Sequence, residues 1–154
     1  MRALIDLAQE YASLVTAVGV IVATTQLWLS RSSAQSSFED SLAKEYRELI
    51  RLVPVDVLLG REFDRELAGS NYNAVRELIF NYLDLTNEQV FLRKKRRVRK
   101  STWHEWADGI RTNLRLPLFK SVWDEIKKES PEMFSELREL ERSGFERDPW
   151  CWYR

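Results

Sequence analysis

The chain has 154 residues but one cysteine, Cys151, and one histidine, His104. A single thiol closes no internal disulfide and suits a reducing compartment. One cysteine and one histidine cannot supply the ligand sets of the common zinc sites. There is no glycine-rich phosphate loop, no His-Glu-x-x-His and no serine nucleophile elbow. Acid pairs such as Glu45 with Glu48, or Asp124 with Glu125, lie among Lys and Arg and read as solvated helix faces. Nothing in the sequence pairs Cys151 with His104, so neither an enzyme nor a cofactor nor a metal is expected. Net charge is also missing: 24 basic and 24 acidic side chains cancel, which excludes a uniformly basic nucleic-acid coat but not a local patch. Sustained strand-like alternation occurs nowhere, and the 44% apolar content recurs at helical spacing, so an all-α fold is predicted.

One absence is local. Between Glu10 and Arg31 there is no charged residue. As a helix, Tyr11 to Ser30 reaches about 30 Å, the thickness of a bilayer hydrocarbon core. Leu14, Val15, Val18, Val20, Ile21, Val22, Leu27 and Leu29 supply its apolar character, with Tyr11 and Trp28 near its ends. A cleaved signal peptide is the rival reading, but Asp6 and Glu10 precede the run and only Arg2 offers a basic leader. The predicted organisation is an N-terminal segment and transmembrane helix over 1–30, a Ser-rich linker over 31–37 and a helical domain over 38–154. Arg31, Lys44, Arg47 and Arg51 follow the run, so the positive-inside rule places the C-terminal part, read as a compact helical bundle, in the cytoplasm, with the N-terminus outside.

Within the run, Ser13, Thr16, Val20, Thr24 and Leu27 share a stripe with Gln9. Three readings compete for it. The hydroxyls can bond back to the preceding turn; small residues such as Ala17, Gly19 and Ala23 can pack helix on helix; or several copies can line a pore, with Gln9 and Glu10 as a polar ring.

In the helical domain, Ser36 with Glu39 predicts a capping box opening a helix toward Leu52, broken by Pro54, with a short continuation over 55–60. A loop at Gly69–Asn71 precedes a long helix to about Lys94. Thr102 with Glu105 predicts a second capping box for a helix through Trp103, Trp106, Ile110 and Leu114. Pro117 opens the next helix. Ser130 followed by Pro131 predicts the start of a last one, carrying Met133, Phe134, Leu137 and Leu140 and ending at Gly144.

Seven of the eight residues Arg93, Lys94, Lys95, Arg96, Arg97, Val98, Arg99 and Lys100 are cationic. Crowding like charges implies an anionic partner or acidic neighbours. The run is read as a solvated loop neutralised by the protein's own carboxylates, as a lipid-headgroup contact, or as a site for a nucleotide or single-stranded DNA oligomer. In the last reading Trp103 stacks a base, while Arg111 and Arg115 extend the charge.

The stretch Asn81-Tyr82-Leu83-Asp84-Leu85-Thr86-Asn87-Glu88, the basic run and the segment Trp103 to Gly109 resemble a group of small bacterial single-span membrane proteins with a helical cytoplasmic domain. Within that group the layout is similar to the Hailong-type membrane effectors of antiphage defence. The resemblance covers roughly residues 75–125, and the run here is more basic than the family pattern. It implies a homo-oligomer, taken as a tetramer, forming an ion channel held shut by a DNA oligomer, with a partner enzyme making that ligand. A membrane-tethered interaction module whose basic run grips anionic lipid is the alternative.

Overall fold

The computed structural model describes residues 2–63 and 69–152, with side chains from Thr16 onward except those of residues 64–68 and 70. It is all-helical, with no strand among the described residues. Two units divide the chain, Met1–Phe38 and Glu39–Arg154.

The first unit is helical throughout its described length. It belongs to α1, Arg2–Leu52, which continues without a break through residues 31–37. The expected linker and the Ser36 capping box are therefore corrected: these residues are interior helix, where a serine costs only a few tenths of a kcal/mol against alanine. The uncharged run is helical, as predicted. However, no helix among the described residues is long and apolar enough to cross a membrane. Thr16, Thr24, Thr25 and Gln26 dilute the run, while the side chains of Tyr11, Ser13, Leu14 and Val15 lie outside the described residues, as do those of Gln9 and Glu10.

In the second unit, Pro54 stops α1 after Leu52, as its missing N–H requires. It stands as N-cap of the one-turn α2, Val55–Leu58. The long helix α3, Ser70–Lys94, follows a glycine N-cap, Gly69, with φ of 52°. Then come α4, Lys100–Asn113; α5, Pro117–Glu129; α6, Ser135–Arg142; and a 3-10 turn, Pro149–Cys151. Helix α3 is the spine of the core, packing against α5, α6 and the 3-10 turn. Its Ile79, Tyr82, Leu83 and Val90 are almost wholly buried, beside Phe119, Val122 and Trp123 of α5 and Leu137 and Leu140 of α6. The Tyr82 ring meets Phe119 edge-on at 5.2 Å between centroids, the geometry aromatic quadrupoles favour. Burial pushes the Tyr82 hydroxyl up to about 12, against the lowering effect of its hydrogen bonds.

Two predicted helix starts are displaced, and in both cases the cap comes from far along the chain. Thr102 does not cap α4, which begins two residues earlier. Its Oγ1 donates to Glu39 Oε2 at 2.8 Å, while Glu39 Oε1 accepts the Arg99 backbone N–H at 2.7 Å. A carboxylate on α1 thus sits at the N-terminus of α4, where the helix dipole favours negative charge. Ser130-Pro131 opens a turn rather than the last helix. That helix starts at Ser135 after Phe134, which adopts a left-handed φ of 54°, and Asn87 Oδ1 on α3 accepts the N–H groups of Glu136 and Leu137, both at 3.1 Å. Met133, assigned to that helix, precedes it and is 40% exposed.

Candidate functional site

The basic run forms the connection between α3 and α4, and its shape is a helix C-cap rather than a loose loop. Arg96 N–H donates to the Arg93 carbonyl at 3.0 Å and Arg97 N–H to the Leu92 carbonyl at 2.9 Å. This is the paired pattern of a Schellman motif. The left-handed position that usually takes glycine is filled by Arg96, at φ of 63°. Val98, fully buried, pins the connection to the core.

The cations of the run have different roles. Arg93 is 3% exposed. Its Nε donates to Asp148 Oδ1 at 2.8 Å, its Nη2 to Asp148 Oδ2 at 2.5 Å and its Nη1 to the Val98 carbonyl at 2.7 Å. Burial of Asp148 opposes its ionised form. Hydrogen bonds from Arg93 and the Trp150 N–H, together with the charge of Arg93, outweigh that and hold the carboxyl below its ordinary value. Lys94 Nζ donates to both oxygens of Glu136, at 2.7 and 2.9 Å. Arg99 lies 3.4 Å from Glu39. These three cations meet carboxylates of the protein itself, as the first reading of the run anticipates.

Lys95, Arg96, Arg97 and Lys100 are exposed. The Arg96 guanidinium lies 4.7 Å from the centre of the Trp150 ring and that of Arg93 lies 4.8 Å from it, so Trp150 contacts two guanidinium groups. Such contacts draw the cation to the negative face of the indole. Trp103 is not available to stack a base: at 3% exposure it is part of the core with Ala107 and Ile110. Arg111 is half-buried, its Nη2 donating to the Phe145 carbonyl at 3.1 Å, whereas Arg115 is exposed. The expected ligand set therefore separates into structural members, Arg93, Lys94 and Trp103, and a solvent-facing group centred on Arg96 and Trp150. Trp150 was missed because it lies fifty residues beyond the end of the run; only the aromatic density of the tail, with Trp150, Trp152 and Tyr153, hinted at it.

Compared with protein-family models, curated proteins and solved structures, the chain matches none. The site must be read from its own chemistry.

In the first unit Thr16, Val20, Thr24 and Leu27 of the expected pore stripe are all exposed, and Ser13 lies outside the described side chains. Thr24 Oγ1 donates to the Val20 carbonyl at 2.7 Å and Thr25 Oγ1 to the Ile21 carbonyl at 2.8 Å. Each hydroxyl proton is thus satisfied within the helix, leaving the oxygen as an outward acceptor. Val18, Val20, Ile21, Val22, Leu27, Trp28 and Leu29 are 49–68% exposed, and at 100° per residue they spread over about 220° of the helix circumference, with Gly19, Ala23 and Gln26 in the remaining sector. Among the described residues, no group of three or more His, Cys, Asp or Glu is placed to hold a metal ion.

Proposed function

We propose that the chain is a homo-oligomeric bacterial membrane effector. Its N-terminal helix enters the inner membrane and assembles into a pore. Its helical domain lies in the cytoplasm and senses a phosphate-bearing ligand, a nucleotide or short DNA oligomer, through the basic turn. The supporting observation is the exposure of large apolar side chains over Val18–Leu29, spread over about 220° of an uncharged stretch of helix. A surface helix needs a much narrower apolar stripe than that, and covering these seven side chains is worth on the order of 10 kcal/mol. Lipid and further copies of the chain are the partners that cover so wide a surface. A polar stripe through Thr16 and Thr24 would then line the lumen, with hydroxyl oxygens facing it as acceptors. At the turn, Lys95, Arg96, Arg97 and Lys100 would meet phosphates, with Trp150 rather than Trp103 as the aromatic surface. A role in antiphage defence follows from the family resemblance alone.

The test is membrane potential in bacteria after induction, beside alkaline extraction of the membranes. Rapid depolarisation, lost in the Thr16→Val, Thr24→Val variant while the chain stays in the membrane pellet, is the expected result. Release of the chain by alkaline extraction would overturn the reading. One observation favours a membrane-tethered interaction module instead: Arg93, Lys94 and Arg99 meet internal carboxylates, which leaves a small cationic surface suited to lipid headgroups. Replacing Lys95, Arg96, Arg97 and Lys100 by Glu separates the two. The sensor loses oligonucleotide binding, whereas the tethered module loses adhesion to anionic vesicles.

A further inference from the structure

The last turns of α1, the middle of α3 and one face of α4 enclose a cleft of about 340 Å³. It lies at the small end of the roughly 300–1,000 Å³ range that holds small ligands. Three features of its wall set what it can hold. Gln89, on α3, lines the cleft at 4% exposure, and its side chain makes no hydrogen bond among the described residues. Neither of its amide atoms is a fully buried polar atom lacking a partner, so the amide opens onto the cleft, where a ligand can take the place of water. Gly109 stands in the interior of α4, where glycine is the weakest helix former after proline. Yet a Cβ there would meet nothing within 4 Å, so close packing does not require glycine, and open space lies beside it in the cleft wall. Tyr46 and Trp106 provide flat apolar walls. The two charged residues among the lining, Arg47 and Glu105, are of opposite sign and exposed, so the cleft has no preference for a polyanion.

We propose that this cleft binds a small uncharged planar ring carrying an adjacent hydrogen-bond donor and acceptor on one edge, the lactam or aromatic carboxamide class. The Gln89 amide presents one acceptor oxygen and one donor nitrogen side by side. An amide-like edge returns the complementary pair, so two parallel hydrogen bonds replace the amide's contacts with water. The ring faces lie against Tyr46 and Trp106, as aromatic stacking favours. The space beside Gly109 receives the rest of the ring. This site is separate in chemistry from the basic turn, because it selects shape and a neutral edge rather than phosphate.

The test is equilibrium dialysis of the full chain in detergent micelles against nicotinamide and 2-pyridone, with empty micelles as background. N,N-dimethylnicotinamide serves as the ring that lacks the N–H donor. Saturable retention of at least one of the first two below about 10 mM is expected for a ligand of this size, with the dimethyl compound about tenfold weaker. Gln89→Met keeps the volume and should erase that preference. Gly109→Leu should abolish retention of every probe, while Gly109→Ala should raise the thermal midpoint through helix propensity. If Gly109→Leu fails to fold, Trp106→Ala carries the same expectation of lost retention. No saturable retention of either probe by the unmodified chain overturns the proposal, as does an unchanged preference in Gln89→Met.

Discussion

Asp148→Ala removes both carboxylate oxygens from a guanidinium that is 3% exposed. Arg93 keeps its hydrogen bond to the Val98 carbonyl and its contact with Trp150, but two charge-assisted bonds go. Breaking a buried pair from one side costs about 3–5 kcal/mol, because a desolvated charge is left behind. Asp148 is itself partly exposed, its side chain at 21%, which places the loss at the lower end, about 3 kcal/mol. For a domain of this size that lowers the thermal midpoint by roughly 10 °C. The assay is urea unfolding of the full chain in detergent, followed by tryptophan fluorescence and analysed by linear extrapolation. The double variant Arg93→Met, Asp148→Leu removes the stranded charge and should recover most of the loss, since apolar replacements of buried pairs are often neutral. A cost below about 1 kcal/mol for Asp148→Ala, or no recovery in the double variant, would refute the view that this pair is buried and structurally required.

Three further outcomes follow from the same region. Arg96 occupies a left-handed position, so Arg96→Gly relieves the backbone while losing the Trp150 contact. It should be more stable than Arg96→Ala by about 1 kcal/mol in the same urea assay. Glu39→Ala strips α4 of its carboxylate cap and should cost about 1–3 kcal/mol, with amide-exchange protection falling first at the N-terminal turn of α4. The lowered pKa of Asp148 means that its contribution is fully present above its unfolded value of about 3.9 and is lost as pH falls through the lower folded value. Stability measured from pH 5 downward should therefore decline less steeply in Asp148→Asn than in the unmodified chain.

Much of the helix content was legible because its signals are local. Pro54 and Pro117 lack an N–H, and each marks a helix boundary where expected. The apolar spacing from Val75 to Val90 gives α3 its length, and Gly144 ends α6 in the left-handed geometry that glycine favours. The misplaced starts of α4 and α6 share one cause. Their N–H groups are satisfied by Glu39 and Asn87, side chains about sixty and fifty residues away, and a capping box searched for three residues along cannot see such partners. The Ser-rich stretch at 31–37 misled in the opposite way, since serine's preference for turns is weak against the continuity of a long helix. For the site, adjacency in sequence suggested that Trp103 stands ready beside the cations. Its helical face decides otherwise: Trp103, Ala107, Ile110 and Leu114 form one stripe, and all four are buried. That stripe was readable from spacing alone, whereas the Arg93–Asp148 and Lys94–Glu136 pairs, 55 and 42 residues apart, were not.

The division of the basic run also limits how an anion bound there acts on the rest of the domain. A ligand resting on Lys95, Arg97 or Lys100 adds charge neutralisation but shifts no equilibrium unless it binds one arrangement better than another. Arg93 cannot join the ligand without surrendering Asp148, and that exchange would release the 3-10 turn whose Trp150 N–H bonds to the same carboxylate at 3.0 Å. Arg96 is different. It is exposed, strained toward the left-handed region and stacked on the ring that Arg93 also touches. An anion that draws Arg96 away from Trp150 uncovers one face of that ring while leaving the buried pair intact. Within the proposed sensing role, Arg96 and Trp150 are therefore the contact through which phosphate binding and the packing of the C-terminal turn on α3 are joined, and the buried cations are what keep α3 itself fixed while that contact changes.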